Sequence, residues 1–537
     1  MIRTTLALCT LLAPNAAGQT FLEAGTWTSS DAAPFEQFGH SIALVGGLGF
    51  VGAPQQGHAG TGYTFDAAAD VELDRWLPSP LVPNQSFGHA VAASGDLVVF
   101  GAPADNGIAG LTGSASLYQA STRTLLAKLI ATDGTFNDQL GRSVAVGGNL
   151  VVAGAPGDDP AGFSSGAAYV FNATNGLQVA KLVPSDGGVN DFFGWSCAVS
   201  GSRALIGLGE QAPNGAGAGA AYLFNAPSGA QLHKLVPNDA AVGDGFGQSV
   251  LLVGNRAFVG APWKATPAGV GAVYVFDAAS GTQLAKLLPQ SATSAANFGS
   301  SLANGGGRLV VGAPGDDLSS GALYVFDLST LVQLGRLVDS GAAQGQALGF
   351  DVAADGDVAI ASAGGSQNAG AVHRFDLSQF DDAGAAFCFG DGFGTPCPCN
   401  QFGDALEGCA NSSGRGSTLT GVGNTDLSGE TFQLRVLGAA PGVPGLLLRG
   451  ANQVAGGLGT VAGDGLLCVA GQTGRSHVQV TSAGGWTVFD RFGAQSLGAA
   501  SYGAGVPTNY QFWYRDNANL CGGGFNFSSA WTVVWQP

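Results

Sequence analysis

Phe193-Gly194-Trp195-Ser196-Cys197-Ala198-Val199-Ser200-Gly201-Ser202-Arg203-Ala204-Leu205-Ile206-Gly207 opens one unit of a repeat that runs through the first 380 residues. The Phe-Gly or Leu-Gly pair recurs at Phe38, Phe87, Leu140, Phe193, Phe246, Phe298 and Leu348, a period of about 50 residues. Such a period signals an array of supersecondary units. In the quoted unit, Ser196-Cys197-Ala198-Val199 and Ala204-Leu205-Ile206-Gly207 read as short apolar strands joined by a tight turn. A long loop leads to a third strand, Ala220-Ala221-Tyr222-Leu223-Phe224, and a turn to a fourth, Gln231-Leu232-His233-Lys234-Leu235. Each unit is expected to be a four-stranded antiparallel meander that cannot bury its own faces, and radial stacking as a β-propeller solves that problem.

Unit seven lacks a fourth strand before Asp381. The N-terminus supplies a candidate. Asp31 stands seven residues before Phe38, as Asp133 precedes Leu140, Asp186 precedes Phe193 and Asp239 precedes Phe246. On that register Ala24 to Thr28 take fourth-strand positions and Trp27 falls where Leu182 and Leu235 sit. The expected fold is all-β: a seven-bladed propeller of four-stranded blades followed by a small disulfide-stapled β-sandwich, with boundaries at 1–18, 19–380 and 381–537.

Composition agrees with that class. The chain has 537 residues, 89 of them Gly and only 11% charged, which suits many tight turns between short strands. The net charge of -17, without a basic run, argues against nucleic acid as a partner. Met1-Ile2-Arg3, the apolar run Leu6 to Leu12 and Ala16-Ala17-Gly18 have the three zones of a signal peptide. Cys9 follows Leu8, not the small residue of a lipoprotein cleavage site, so no lipid anchor is expected. No later stretch is long and apolar enough for a membrane helix.

These units resemble FG-GAP repeats, which build the seven-bladed propeller at the head of integrin α subunits and occur in many exported bacterial proteins. Five units keep a literal Gly-Ala-Pro: Gly52-Ala53-Pro54, Gly101-Ala102-Pro103, Gly154-Ala155-Pro156, Gly260-Ala261-Pro262 and Gly312-Ala313-Pro314. Unit four has Gly207-Leu208-Gly209, and unit seven is read as Ala361-Ser362-Ala363. The resemblance implies a binding scaffold for recognition or adhesion. Integrin-type calcium loops are not carried over, because turns such as Gly147-Gly148-Asn149 and Gly305-Gly306-Gly307-Arg308 cannot supply six to eight oxygen ligands. No cofactor or metal is assigned, and calcium stays open only for the acidic long loops.

Those long loops join strand two to strand three and strand four to the next unit, and they gather acids on one face. Asp138, Asp158, Asp159, Asp191, Asp316 and Asp317 are the ligand-face candidates; the plain alternative is that such residues are turn formers bonding their own backbone. Gly162-Phe163-Ser164-Ser165-Gly166 matches a nucleophile elbow but lies between two strands, where the required strand-turn-helix setting is missing. His40 and His89 hold equivalent places in neighbouring units, which allows them to lie close together, and are read in the first place as exposed strand-end residues without metal-ligand spacing. Cys197 falls in a column of Ile and Val and reads as a core thiol.

Beyond Asp381 lie Cys388, Cys397, Cys399, Cys409, Cys468 and Cys521, whose crowding in an exported chain points to three disulfides. A direct Cys397 to Cys399 bond is the least plausible pairing, and Cys468 is left for Cys521. Phe432-Gln433-Leu434-Arg435-Val436 and Trp531-Thr532-Val533-Val534-Trp535 alternate as strands. The region is similar to a Cys-stapled tail module of exported planctomycete proteins. Tyr510-Gln511-Phe512-Trp513-Tyr514 and Trp486 read as either sandwich core or sugar platform.

The functional expectation is a non-enzymatic, secreted or cell-surface monomer recognising an extracellular protein or glycan. The rivals are a polysaccharide-acting propeller enzyme, which would need a convergent carboxylate pair, and a structural envelope component.

Overall fold

The computed structural model describes residues 20–31, 35–55, 59–106, 110–209, 219–265, 269–290, 292–341, 344–364, 370–380, 385–387, 417–422, 433–437, 439–440, 442–450, 452–453, 460–462, 465–467, 469–470, 474–482, 487–489, 507–515 and 525–534. The chain divides into two compact units, one spanning Ala17–Leu377 and one holding Ser378–Pro537.

The described residues of the first unit form seven sheets, each built on consecutive antiparallel strands. The third sheet shows why these residues make these strands. Its strands are Ser143–Gly147, Leu150–Ala155, Ala167–Asn172 and Gln178–Leu182. The two middle strands are apolar at nearly every position and buried on both faces, because a neighbouring sheet covers each side. The fourth strand alternates exposed and covered residues, as an outer edge should. Leu117 and Leu129 of the second sheet pack with Val151, Tyr169 and Phe171 of the third, so the core lies between sheets.

The repeated sequence signature builds that junction. Phe193 sits edge-on to Tyr222 and Phe224, with ring centroids 5.8 Å away in both cases. Gly194 has φ +94° and faces Gly154 of the preceding sheet, where a Cβ on Gly154 would come 1.9 Å from the Gly194 carbonyl oxygen. The first Gly of Gly-Ala-Pro and the Gly of the next Phe-Gly are thus two halves of one close approach that admits no side chain. The Ser143 hydroxyl locks it by donating to the Gly194 carbonyl at 2.8 Å.

The last junction corrects the sequence reading by one residue. Gly349 donates to the Ser362 carbonyl as Gly299 donates to the Gly312 carbonyl, so Ser362-Ala363-Gly364 replaces Gly-Ala-Pro, not Ala361-Ser362-Ala363.

Each first strand packs against the first strand of the next sheet, and Ser41–Val45 of the first sheet packs against Val352–Asp355 of the last. The arrangement is propeller-like, with first strands innermost. Gly25–Trp27 pairs antiparallel with Ala371–Asp376 and becomes the missing fourth strand. Trp27 is buried and stacks on Phe65 at 5.0 Å. One sheet departs from four strands: Thr20–Leu22 adds in parallel to the outer strand Gln333–Val338 of the sixth. The N-terminal segment therefore pairs with two neighbouring sheets in succession.

In the second unit, a five-stranded sheet contains Ala385–Phe387, Phe525–Val534, Pro507–Arg515, Pro444–Gly450 and Gly474–Val480. A three-stranded sheet contains Thr418–Val422, Gln433–Leu437 and Thr487–Phe489. Leu419, Leu434 and Val436 of the smaller sheet share a core with Leu447, Tyr510, Phe512 and Tyr514 of the larger. The core reading of Tyr510, Phe512 and Tyr514 holds, since all three are buried. The signal-peptide zones, Trp486 and the six cysteines assigned to disulfides lie outside the described residues. No described helix is long and apolar enough to cross a membrane.

Candidate functional site

In each meander the link from strand two to strand three and the exit from strand four emerge at the end where strand one begins, so the long loops and the innermost strand starts share one face. Of the six candidate acids on that face, Asp138, Asp158, Asp191 and Asp316 are turned into the fold. Asp138 is buried and accepts from the Thr135 backbone N–H at 2.6 Å and its hydroxyl at 2.7 Å. Asp191 is buried and accepts from Gly188 N–H at 2.6 Å. Burial pushes both carboxyls above the ordinary range. They bond to residues three positions earlier, the behaviour of turn formers.

Asp158 is buried, taking the Tyr169 hydroxyl at 2.5 Å and the Lys181 ammonium at 2.8 Å. Asp316 is fully buried and receives Thr293 N–H at 2.8 Å, the Tyr324 hydroxyl at 2.6 Å and Arg336 at 2.9 Å. Burial alone would raise its pKa, but the Tyr324, Thr293 and Arg336 contacts outweigh it and hold the carboxyl low. Asp159 is exposed and caps Ser164 N–H at 2.6 Å. Asp317 is exposed and paired to Arg336. Each of the six candidates therefore has a partner within the fold, in line with the turn-former alternative, while Asp159 and Asp317 stay exposed.

A recurrent triad explains the pattern. Asp133, Tyr169 and Lys181 form one, with the hydroxyl at 2.9 Å and the ammonium at 2.7 Å from the carboxylate. Asp186, Tyr222 and Lys234 repeat it, as do Asp239, Tyr274 and Lys286, and Asp31, Tyr63 and Arg75. Each acid arrives on the loop entering a sheet and is held by that sheet's third and fourth strands. The signal in the sequence was the cation near the end of each fourth strand, which matches the acid of the preceding loop.

The loops also present apolar side chains outward. Phe35, Phe136, Phe163, Val189, Val242 and Leu318 are each between 59% and 76% exposed. Asn190 N–H donates to the Phe163 carbonyl at 2.8 Å, so the Phe163 and Val189 loops lie together. Leu318 stands on three successive left-handed residues, Asp317, Leu318 and Ser319, with φ of 45°, 60° and 67°. Holding non-glycine residues there costs of order 1–3 kcal/mol each. Gly162 to Gly166 is likewise a strand-connecting loop, with Ser164 at φ 48°, and carries no helix for a nucleophile elbow.

A second feature escaped the sequence reading. The residue after each Phe-Gly or Leu-Gly pair stands just before an innermost strand, and this column varies, with only the first two alike: His40, His89, Arg142, Trp195, Gln248, Ser300 and Phe350. Neighbours in it touch. The His40 and His89 rings are 4.4 Å apart, His40 and Phe350 5.9 Å, and the Arg142 guanidinium lies 4.3 Å from the Trp195 ring centre. His40 and His89 are half-buried, which corrects the exposed strand-end reading, while their contact bears out the proximity that their equivalent places allow. Burial pulls the His89 pKa down to about 2, helped by His40 and Arg142, and lowers His40 as well. A column that varies where its neighbours repeat is the signal that would have found this ring.

The FG-GAP repeat family model matches residues 124–171, 177–224, 230–276 and 282–326. These four stretches are similar to FG-GAP repeats. Each matched FG-GAP repeat starts at or beside the fourth strand of one sheet and ends in the third strand of the next, so the sequence repeat straddles the junction described above. The FG-GAP match and the four-stranded sheets together support an FG-GAP propeller-like protein. A comparison with curated proteins finds no match.

Among the described residues, no group of three or more His, Cys, Asp or Glu side chains is disposed to hold a metal ion. Cys197 is a free thiol packed against Val152 and Phe193, and burial pushes its pKa up to about 12.

Proposed function

We propose that this is an exported, non-enzymatic recognition protein in which a closed seven-bladed FG-GAP propeller presents its long-loop face to an extracellular protein. One observation carries the reading: the acids of that face are spent on the fold while six large apolar side chains project from it. Exposed apolar groups on loops held by a rigid scaffold suit a protein contact surface. A glycosidase would use two open carboxylates converging on a pocket, whereas the carboxylates here hold Tyr, Lys and backbone N–H groups of their own loops. The Ser378–Pro537 unit, read as a disulfide-stapled sandwich, serves as the accompanying module.

The test is a screen of the full chain against an extracellular-protein array. The combined Phe136→Ser and Phe163→Ser variant should lose captured partners while keeping its melting temperature. Undiminished capture by that variant would remove the loop face from the function.

A further inference from the structure

The innermost ring holds a cation with no acid beside it. Arg142 is half-buried, and burial pulls its pKa below the ordinary arginine range. Among the described residues it forms no ion pair, whereas Lys181, Lys264, Arg308 and Arg336 each have a carboxylate. Its Nη1 donates to His89 Nε2, and its guanidinium lies over the Trp195 ring. The histidine is itself positioned: its backbone carbonyl receives the His40 Nδ1 proton at 2.9 Å. Because Nε2 accepts from Arg142, the neutral imidazole carries its proton on Nδ1. That Nδ1 is buried and, among the described residues, has no hydrogen-bond partner. Arg142, His89 and Trp195 line one open cavity of ≈ 290 Å3, together with Gln139, Asn137 and Leu111.

A half-buried guanidinium without a counter-ion lacks an anionic acceptor. Guanidinium is suited to a planar two-oxygen acceptor, and the fork that does not bond His89 remains to receive one. We propose that Arg142, oriented by His89 and Trp195, is the receptor for a carboxylate borne by an acidic peptide segment of the partner. This rests on the recognition function proposed above. A peptide source is favoured over an acidic glycan because the cavity opens on the face that carries the exposed apolar residues Phe136 and Phe163, which suit a protein contact. Docking would supply Arg142 with the counter-charge that the fold withholds.

The experiment titrates the full chain with a capped Gly-Asp-Gly peptide, its Gly-Asn-Gly counterpart and a galacturonate oligomer, by calorimetry. The Asp peptide should bind and the Asn peptide should bind at least about tenfold more weakly, since a charged pair is replaced by a neutral one. Arg142→Gln should abolish the difference between the two peptides with little change in melting temperature, because the lost His89 and Trp195 contacts are offset by release of a half-buried charge that has no counter-ion. Should Arg142→Gln fail to fold, Arg142→Lys carries the test: it keeps the charge but loses the fork, and should reduce the Asp preference. Equal binding of the Asp and Asn peptides, unchanged preference in the variants, or binding of the galacturonate alone overturns the proposal. Array partners that need Phe136 and Phe163 but are captured equally by Arg142→Gln remove this inference and leave the recognition function standing. Loss of both the array partners and the peptide removes that function as well.

Discussion

Ile42 donates its backbone N–H to Oδ2 of Asp351 at 2.8 Å, joining the first innermost strand to the last across 309 residues of chain. At the next junction Val91 N–H donates to the Ser41 hydroxyl at 3.0 Å in the same way. Asp351 occupies the column that holds Ser143, Ser196, Ser249 and Ser301 elsewhere, so the closing junction carries a longer acceptor that also takes Val352 N–H at 3.0 Å. Asp351→Ala leaves both donors without that acceptor and should cost about 1–3 kcal/mol in denaturant unfolding. Asp351→Ser restores the residue of the other junctions and should cost less. Equal stability of the alanine variant and the natural chain would mean that the contact does not hold the junction.

The N-terminal segment should act as a strap. Besides its two strand pairings, Glu23 accepts from Ser340 N–H at 2.6 Å and from the Ser340 hydroxyl, and Trp27 Nε1 donates to Asp70 at 2.7 Å. Trp27→Ala empties a fully buried aromatic site and is expected to cost about 3–5 kcal/mol. Removal of residues 20–27 should also expose two outer strand edges and promote association. Light scattering and thermal melts check both expectations, and an unchanged melting temperature would contradict them.

Much of this fold was legible because a period repeated seven times averages away local ambiguity: four strands per unit and the role of Trp27 follow from aligning one unit on another. Thr20–Leu22 was not legible, since a short parallel addition to an outer edge leaves no periodic trace. The displacement of unit seven by one residue, with Ser362 in the glycine place, was hidden because the column there contains only small residues. At the candidate site the acids were visible but their partners were not, as Lys181 lies 48 residues from Asp133 and meets it only through the fold. The ring through Arg142 was overlooked for the opposite reason, since attention to what repeats conceals the column that varies.

The triads predict a uniform stabilising role for the acidic loops. Tyr222→Phe deletes the hydroxyl that donates to Asp186 at 2.9 Å and should cost about 1 kcal/mol. Burial alone would raise the Asp186 pKa, but Lys234 and Tyr222 bring it below the ordinary carboxylate range, so this contribution is present at neutral pH and fades as pH falls through the lowered value. Calcium or chelator should leave the melting temperature unmoved, and a calcium-dependent rise would assign the loops to metal instead.

Acid stability should carry two opposing signatures. His89 and His40 have folded-state pKa values below the ordinary 6.5, so the unfolded chain takes up protons that the fold refuses, and stability is lost as pH drops below that point. Asp351 runs the other way: burial raises it from 3.8 to about 6, so its contribution is full below 3.8 and lost as pH rises through 6. His89→Gln should flatten the decline between pH 7 and 5, and Asp351→Asn should steepen it. Identical pH profiles for both variants and the natural chain would contradict the placement of these groups.

The central claim is that the long-loop face, with most of its candidate acids turned inward and apolar side chains turned out, is the surface that binds. Hydrogen exchange of the full chain with and without an array-selected partner tests it most directly. The account predicts protection confined to the loops carrying Phe136, Phe163, Val189 and Val242 and to the strand starts at His89 and Arg142. Protection confined to the outer fourth strands, at Leu232 and Leu284, would contradict it.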